Sequence, residues 1–218
     1  MANIFSRFRG EAAASAAHAP EPPSKERIAR RSSGLGEFSA RIAGEEGLRI
    51  LDLGPTSPTN IALLTGLGHK VYNEDLLLSS TDRSFWKKGD DGMDVLDVER
   101  FFSENLSFKD TRFDAILAWD IADYLPESLV KPMVERIAKV MRPRGVLLGF
   151  FHTRDAGPDA PYYRYHIVGK DALELQRGPQ FRLQRVFNNR HIENLFTGFD
   201  SLKFFLARDN VREVLAVR

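Results

Sequence analysis

Apolar residues recur along this chain in short blocks separated by turn residues. The clearest block is Leu48-Arg49-Ile50-Leu51-Asp52-Leu53, which ends at Gly54 and Pro55. A run of this length, bounded by Gly and Pro, predicts a buried strand. Ser57 and Pro58 follow, and they suit the N-cap and first turn of a helix. Ile61, Ala62, Leu63 and Leu64 supply that helix with an apolar face, and Gly66 and Gly68 predict its end. Val71 and Tyr72 begin a second strand that closes on Glu74 and Asp75. The unit reads strand, turn, helix, strand, acid. In a parallel α/β sheet it puts the turn and the helix N-terminus at the carboxyl edge of the strands, where ligands bind. The acid falls about 20 residues after the turn, an offset from which a carboxylate reaches a ribose hydroxyl.

The remaining pattern extends this unit. Residues 36–44 predict a short helix ahead of the first strand. Residues 76–92 are polar but carry Phe85 and Trp86, and read either as a surface helix packed on the sheet or as a flap at the ligand edge. Residues 93–96 predict a short third strand, followed by Asp97 as a cap for a helix over 98–105. Residues 112–119 predict a fourth strand ending in Trp119-Asp120. Leu129, Met133, Ile137 and Val140 recur at helical spacing, with Pro132 marking the early turns of that helix. Residues 146–151 are nearly all apolar and predict a fifth strand buried on both faces, with His152 at its carboxyl end. A Gly/Pro/Asp-rich loop, 153–161, leads into Tyr162-Tyr163-Arg164-Tyr165-His166, a β segment with polar tips. Alternation over 173–176 and 181–186 predicts a hairpin turning at 177–180. A helix over 188–196 and two strands, 202–206 and 211–217, complete the chain.

Composition adds boundaries. At 218 residues the simplest arrangement is one domain, 34–218, with a β insertion near 162–187 and a flexible tail over 1–33. The tail has an alanine-rich stretch at 12–19, three prolines within 18–24 and a basic cluster at Arg27, Arg30 and Arg31. Its opening, Ile4-Phe5-Ser6-Arg7-Phe8-Arg9, reads alternatively as a basic amphipathic anchor. A net charge of +1 gives no global electrostatic case for nucleic acid or a membrane surface. The absence of cysteine excludes disulfides, thiolate catalysis and cysteine metal sites. The five histidines lack metal-ligand spacing. No apolar run approaches the ~20 residues of a membrane helix, and no apolar signal core opens the chain, so a cytoplasmic protein is expected.

Three stretches together resemble the class I S-adenosylmethionine-dependent methyltransferases. They are Leu51-Asp52-Leu53-Gly54 with the acid after the next strand, FDAILAWDIADYLP over 113–126, and MRPRGVLLGFFH over 141–152. The resemblance runs in family order over 48–152. It implies a doubly wound, mostly parallel seven-stranded sheet with helices on both faces and a C-terminal antiparallel hairpin. It also implies S-adenosylmethionine as cofactor and a small-molecule acceptor. Asp52 and Gly54 would border the methionine moiety, Glu74 or Asp75 would take the ribose hydroxyls, and Asp97 would face the adenine unless it caps its helix. Asp120 would hold the cofactor's ammonium or orient the substrate, unless it caps the turn that follows. His152 is the first candidate for a base, with Tyr162 or Tyr163 behind it. The family's Asn/Asp-Pro-Pro-Tyr/Phe signature is absent, which argues against amino groups of bases or glutamine as acceptors. One departure stands out: the glycine-x-glycine-x-glycine loop reads Gly54-Pro55-Thr56-Ser57-Pro58-Thr59. Ser57 and Thr59 would then replace glycine contacts with hydroxyl contacts. The departure also supports a second reading, a catalytically inactive binding or scaffolding protein of the same fold. An NAD-dependent oxidoreductase is a third reading, and the glycine fingerprint fails there too.

Overall fold

The computed structural model describes residues 24–154, 161–207 and 209–218. The features at 4–9 and 12–19, residues 155–160 of the loop over 153–161, and Arg208 lie outside the described residues.

The elements run β1 (Arg27–Arg31), α1 (Ser33–Ile42), β2 (Arg49–Asp52), α2 (Pro58–Gly66), β3 (Lys70–Asn73), α3 (Leu76–Ser80), β4 (Trp86–Lys88), β5 (Asp94–Leu96) and α4 (Val98–Glu104). Then come β6 (Phe113–Trp119), α5 (Ile121–Tyr124), α6 (Glu127–Val140), β7 (Met141–His152), β8 (Pro161–Gly169), β9 (Ala172–Gln180), α7 (Asn189–Leu195), β10 (Ser201–Leu206) and β11 (Val211–Val217). The central sheet has the order β10-β11-β7-β6-β2-β3. β3, β2, β6 and β7 pair in parallel, and β11 is antiparallel to both of its neighbours. The parallel strands therefore end together at Asp52, Asn73, Trp119 and His152.

Both faces of this sheet are covered, which explains the unbroken apolar runs. Along β6, Ile116 and Ala118 join the cluster beneath α4 and α6, while Ala115, Leu117 and Trp119 join the one beneath α1 and α2. β7 alternates likewise, with Leu147 and Phe151 on one side and Val146, Leu148 and Phe150 on the other. No helix among the described residues is long and apolar enough to cross a membrane.

Three expectations change. The central sheet has six strands rather than seven. Asp94–Leu96 pairs instead with Trp86–Lys88 as a separate antiparallel ribbon. Its turn closes locally through Gly89 N–H on the Met93 carbonyl, and Gly92 takes a positive φ of 76°. Only Leu96 of these three residues is buried, so the strand would gain little by joining the sheet edge. The stretch 76–92 is accordingly not one helix. Ser80 and Thr81 turn their hydroxyls back onto the Leu77 and Leu78 carbonyls, and Asp82 caps a single 3-10 turn, Arg83–Phe85.

The second change is at the N-terminal side. Arg27–Arg31 falls inside the stretch that composition assigned to a tail, yet it pairs with β9 in the three-stranded sheet β1-β9-β8. Arg30 anchors it, 2.7 Å from Glu213 and 2.5 Å from Asp209, with its guanidinium 4.9 Å over the Phe150 ring. Those partners lie 120 to 183 residues further along the chain, so composition cannot reveal them. Third, the hairpin turns at Lys170 and Asp171, not at 177–180, and 181–188 form no strand. Tyr165 faces Leu175 and Ile167 faces Leu173 in this register, so the apolar positions of both strands share one face.

Candidate active site

The carboxyl edge of the central sheet has two ends. The first is the loop after β2. Asp52 is 2% exposed and is filled with donors. Its Oδ1 accepts from Trp119 Nε1 at 2.6 Å and from Gly54 N–H at 3.1 Å; its Oδ2 accepts from Asn60 Nδ2 at 3.1 Å. Burial pushes its carboxyl up to about 6 against those three bonds. Gly54 has no room for a side chain, because a Cβ there would lie 2.6 Å from Trp119 Cδ1. Trp119 takes a positive φ of 47° and stacks on Tyr165 with centroids 4.9 Å apart and planes 6° apart. Asn73 donates to the carbonyls of Asp52 and Gly54 at 3.0 and 2.9 Å and accepts from the Thr56 hydroxyl.

β8 closes over this loop. Asn60 of α2 donates to the Tyr165 carbonyl at 3.0 Å and accepts from Ile167 N–H at 2.7 Å, pairing with the open edge of β8 as a strand would. Ser57 caps α2 by accepting from Asn60 N–H, and its Oγ lies 2.8 Å from His166 Nδ1. His166 Nε2 lies 3.0 Å from Gln176 Oε1, and Gln176 donates onward to the Ser24 carbonyl. Burial lowers the His166 pKa, so Ser57 faces a neutral imidazole. Its hydroxyl is used inside the protein.

The acids beside the loop are also engaged. Glu74, half-buried, accepts from Leu106 N–H at 2.8 Å. Asp75 caps α3 by accepting from Leu78 N–H at 3.0 Å. Burial raises the pKa of both. Asp97 makes the capping bond, to Arg100 N–H at 3.2 Å, and pairs with Lys87 at 2.8 Å.

The second end follows β6 and β7. Asp120 is 1% exposed. Its Oδ2 accepts from the Tyr165 hydroxyl at 2.9 Å, its Oδ1 has no side-chain partner among the described residues, and its side chain makes no capping bond to α5. Burial pushes its carboxyl up to about 6; the His152 charge opposes this and the Asp123 charge adds to it. Asp123, on α5, is fully buried. Its Oδ2 accepts from His152 N–H at 2.6 Å and meets His152 Nδ1 at 2.8 Å, while its Oδ1 has no partner. This contact fixes the ring of His152 and leaves Nε2 as its other nitrogen. Burial would lower the His152 pKa, but the Asp123 bond and the charges of Asp120 and Asp123 outweigh it and raise it. Tyr162 is buried between Tyr124 and Phe181, and its hydroxyl lacks a partner. Burial and nearby carboxylates push its phenol well above the ordinary value, so it holds its proton.

The structure therefore gathers His152 and Asp120 around Asp123, while Asp52, Gly54 and Ser57 form a separate, closed group. Asp123, Asn60 and Trp119 were missed as site residues in the sequence. The signal for Asp123 was only its place one helical turn after Asp120 at a strand's carboxyl end.

S-adenosylmethionine, the cofactor implied by the resemblance, would meet a loop whose polar groups are already engaged. The Trp119 indole packs directly on Gly54, and β8 is docked on the N-terminal turn of α2. The Gly54 carbonyl, the Ser57 hydroxyl and the Asp52 carboxylate are each bonded within the protein.

No family model matches the chain, and no curated protein matches it. Solved structures do. The PH0226 protein from Pyrococcus horikoshii is 14% identical with a TM-score of 0.50, over 84% of this chain and 88% of that one. A 1,6-didemethyltoxoflavin-N1-methyltransferase from Burkholderia thailandensis, with bound 1,6-didemethyltoxoflavin and S-adenosylhomocysteine, is 15% identical with a TM-score of 0.49, over 86% and 79%. A SAM-dependent methyltransferase from Methanosarcina mazei is 12% identical with a TM-score of 0.45, over 82% and 96%. At these identities the likeness is one of fold alone: a mixed α/β chain built on a central, mostly parallel sheet.

Proposed function

We propose that this chain is a methyltransferase-like binding protein whose cofactor loop is closed by its own strand β8. The observation that carries this reading is Asn60, whose one amide ties Asp52 to a carbonyl and an N–H of β8. Opening the loop breaks these three buried bonds, each worth about 1 kcal/mol net. It also unstacks Trp119 from Tyr165, for about another 1 kcal/mol. A ligand that needs the open form would bind about 10²- to 10³-fold more weakly than to a preformed site.

Calorimetric titration with S-adenosylmethionine and S-adenosylhomocysteine tests it. Binding no tighter than about 0.1–1 mM is expected, micromolar affinity weakened by that factor. Micromolar binding that is lost in Glu74→Ala would overturn the reading. It would favour instead S-adenosylmethionine-dependent methyl transfer to a small-molecule acceptor. That second reading has its own support in the unpartnered, buried Oδ1 of Asp120 and in a His152–Asp123 pair suited to proton transfer.

A further inference from the structure

A cavity of about 640 Å³ opens between the β1-β9-β8 sheet and the end of β7. One of its walls, Tyr165, also stacks on Trp119 beside the loop after β2. Its walls include Ile28, Leu175 and Val211 and the rings of Tyr163 and Tyr165, so most of a ligand's surface would meet apolar or aromatic atoms. Its charged lining residues are Arg30, Asp209, His152 and Arg154.

These charges are unequal in what they have left to offer. Arg30 and Asp209 neutralise each other at 2.5 Å, and Arg30 is also paired with Glu213. Asp209 further accepts from Val211 N–H at 3.3 Å. Arg154, by contrast, is exposed and has no ion pair among the described residues. His152 has Nδ1 committed to Asp123. Among the described residues the cavity thus presents one guanidinium without an ion pair and one imidazole nitrogen beside aromatic walls. A guanidinium takes a carboxylate through two parallel bonds.

We propose that this cavity binds a small aromatic carboxylic acid, its ring against Tyr163 and Leu175 and its carboxylate on Arg154. The inference rests on the binding-protein reading, for which it names the ligand class.

The test is calorimetric titration of the full chain with 4-hydroxybenzoate, alongside the neutral 4-hydroxybenzamide and the cationic 4-hydroxybenzylamine. The acid should bind about tenfold or more tightly than the amide, and the amine should bind least. Arg154→Ala should weaken the acid by about tenfold while leaving the amide unchanged. Arg154 is exposed, so this variant should keep the wild-type unfolding midpoint, and that is checked first. Equal binding of acid and amide, no effect of Arg154→Ala, or silence of all three probes at millimolar concentration would overturn the proposal. Failure here is distinguishable from failure of the closed-loop reading, because the latter is scored on S-adenosylmethionine and Glu74→Ala. Those two readouts do not involve the cavity.

Discussion

Asp52 and Asp120 sit at the ends of neighbouring parallel strands, both buried, and both with carboxyls pushed up to about 6 by burial. Their surroundings differ. Asp52 receives three donors, from Trp119, Gly54 and Asn60. Among the described residues Asp120 receives one side-chain donor, Tyr165, and keeps an oxygen without a side-chain partner. A satisfied buried carboxylate specifies a packing arrangement; one with an orphaned oxygen is where ligand or proton chemistry has something left to act on. The same split holds for the histidines. His166 joins a closed chain of side chains, whereas His152 lines a cavity and is oriented by a carboxylate. The loop that resembles a cofactor site is thus the structural end of this edge. The end that follows β6 and β7 is the chemically open one.

The comparison can be broken most strongly at the closed end. Asn60→Ala removes the donor to Asp52 and leaves the Tyr165 carbonyl and Ile167 N–H unpaired. A loss of about 3 kcal/mol is expected by urea unfolding. A loss under about 0.5 kcal/mol, the scale of ordinary surface changes, would mean that β8 is not held by this amide.

A change of opposite sign is expected at the open end. The folded state binds a proton at Asp120 below about 6, whereas an ordinary aspartate releases it near 3.8. Wild-type stability therefore falls as pH rises through that window, and it stays lower above it. Asp120→Asn keeps an oxygen for the Tyr165 hydroxyl and carries no charge. It should be more stable than wild type at pH 8, by about 2 kcal/mol, with the gain disappearing towards pH 4. Unfolding midpoints at three pH values measure this. Equal stability at pH 8 would mean that water or a ligand already satisfies the free oxygen.

The smallest effect sharpens the contrast between the histidines. NMR titration should place His152 above the ordinary 6.5 and His166 below it. Asp123→Asn should bring His152 down and leave His166 in place. The raised pKa of His152 contributes stability that is present below 6.5 and lost as pH rises through its folded value. If both rings titrate alike, the Asp123 contact does not govern His152.

Much of the frame was legible along the chain. Ser57 and Pro58 at its start and Gly66 and Gly68 at its end mark α2, whose cap is Ser57 and whose first residue is Pro58. The apolar run from Val146 to Phe151 marks a strand buried on both faces. His152 was visible as a polar residue at that strand's carboxyl end. These are local properties: a helix start, a period of two and a turn are written within a few adjacent residues. What eluded the sequence depends on partners far apart in it. Trp119 is 67 residues from the Asp52 it bonds, and Tyr165 lies 105 residues from Asn60. The short strand β1 reads as tail because its hydrogen-bonding partners, on β9, in the turn before it and beside β11, are 140 or more residues away.

By itself, then, the sequence determined a parallel α/β unit with polar residues at its carboxyl edge, because strand, helix and turn preferences are set by neighbouring residues. Tertiary structure decided which of those residues remain available. A buried polar group must be satisfied wherever the fold brings a partner, and here β8 brings partners to Asn60 and Ser57 while Asp120 and Asp123 keep oxygens that no side chain among the described residues reaches.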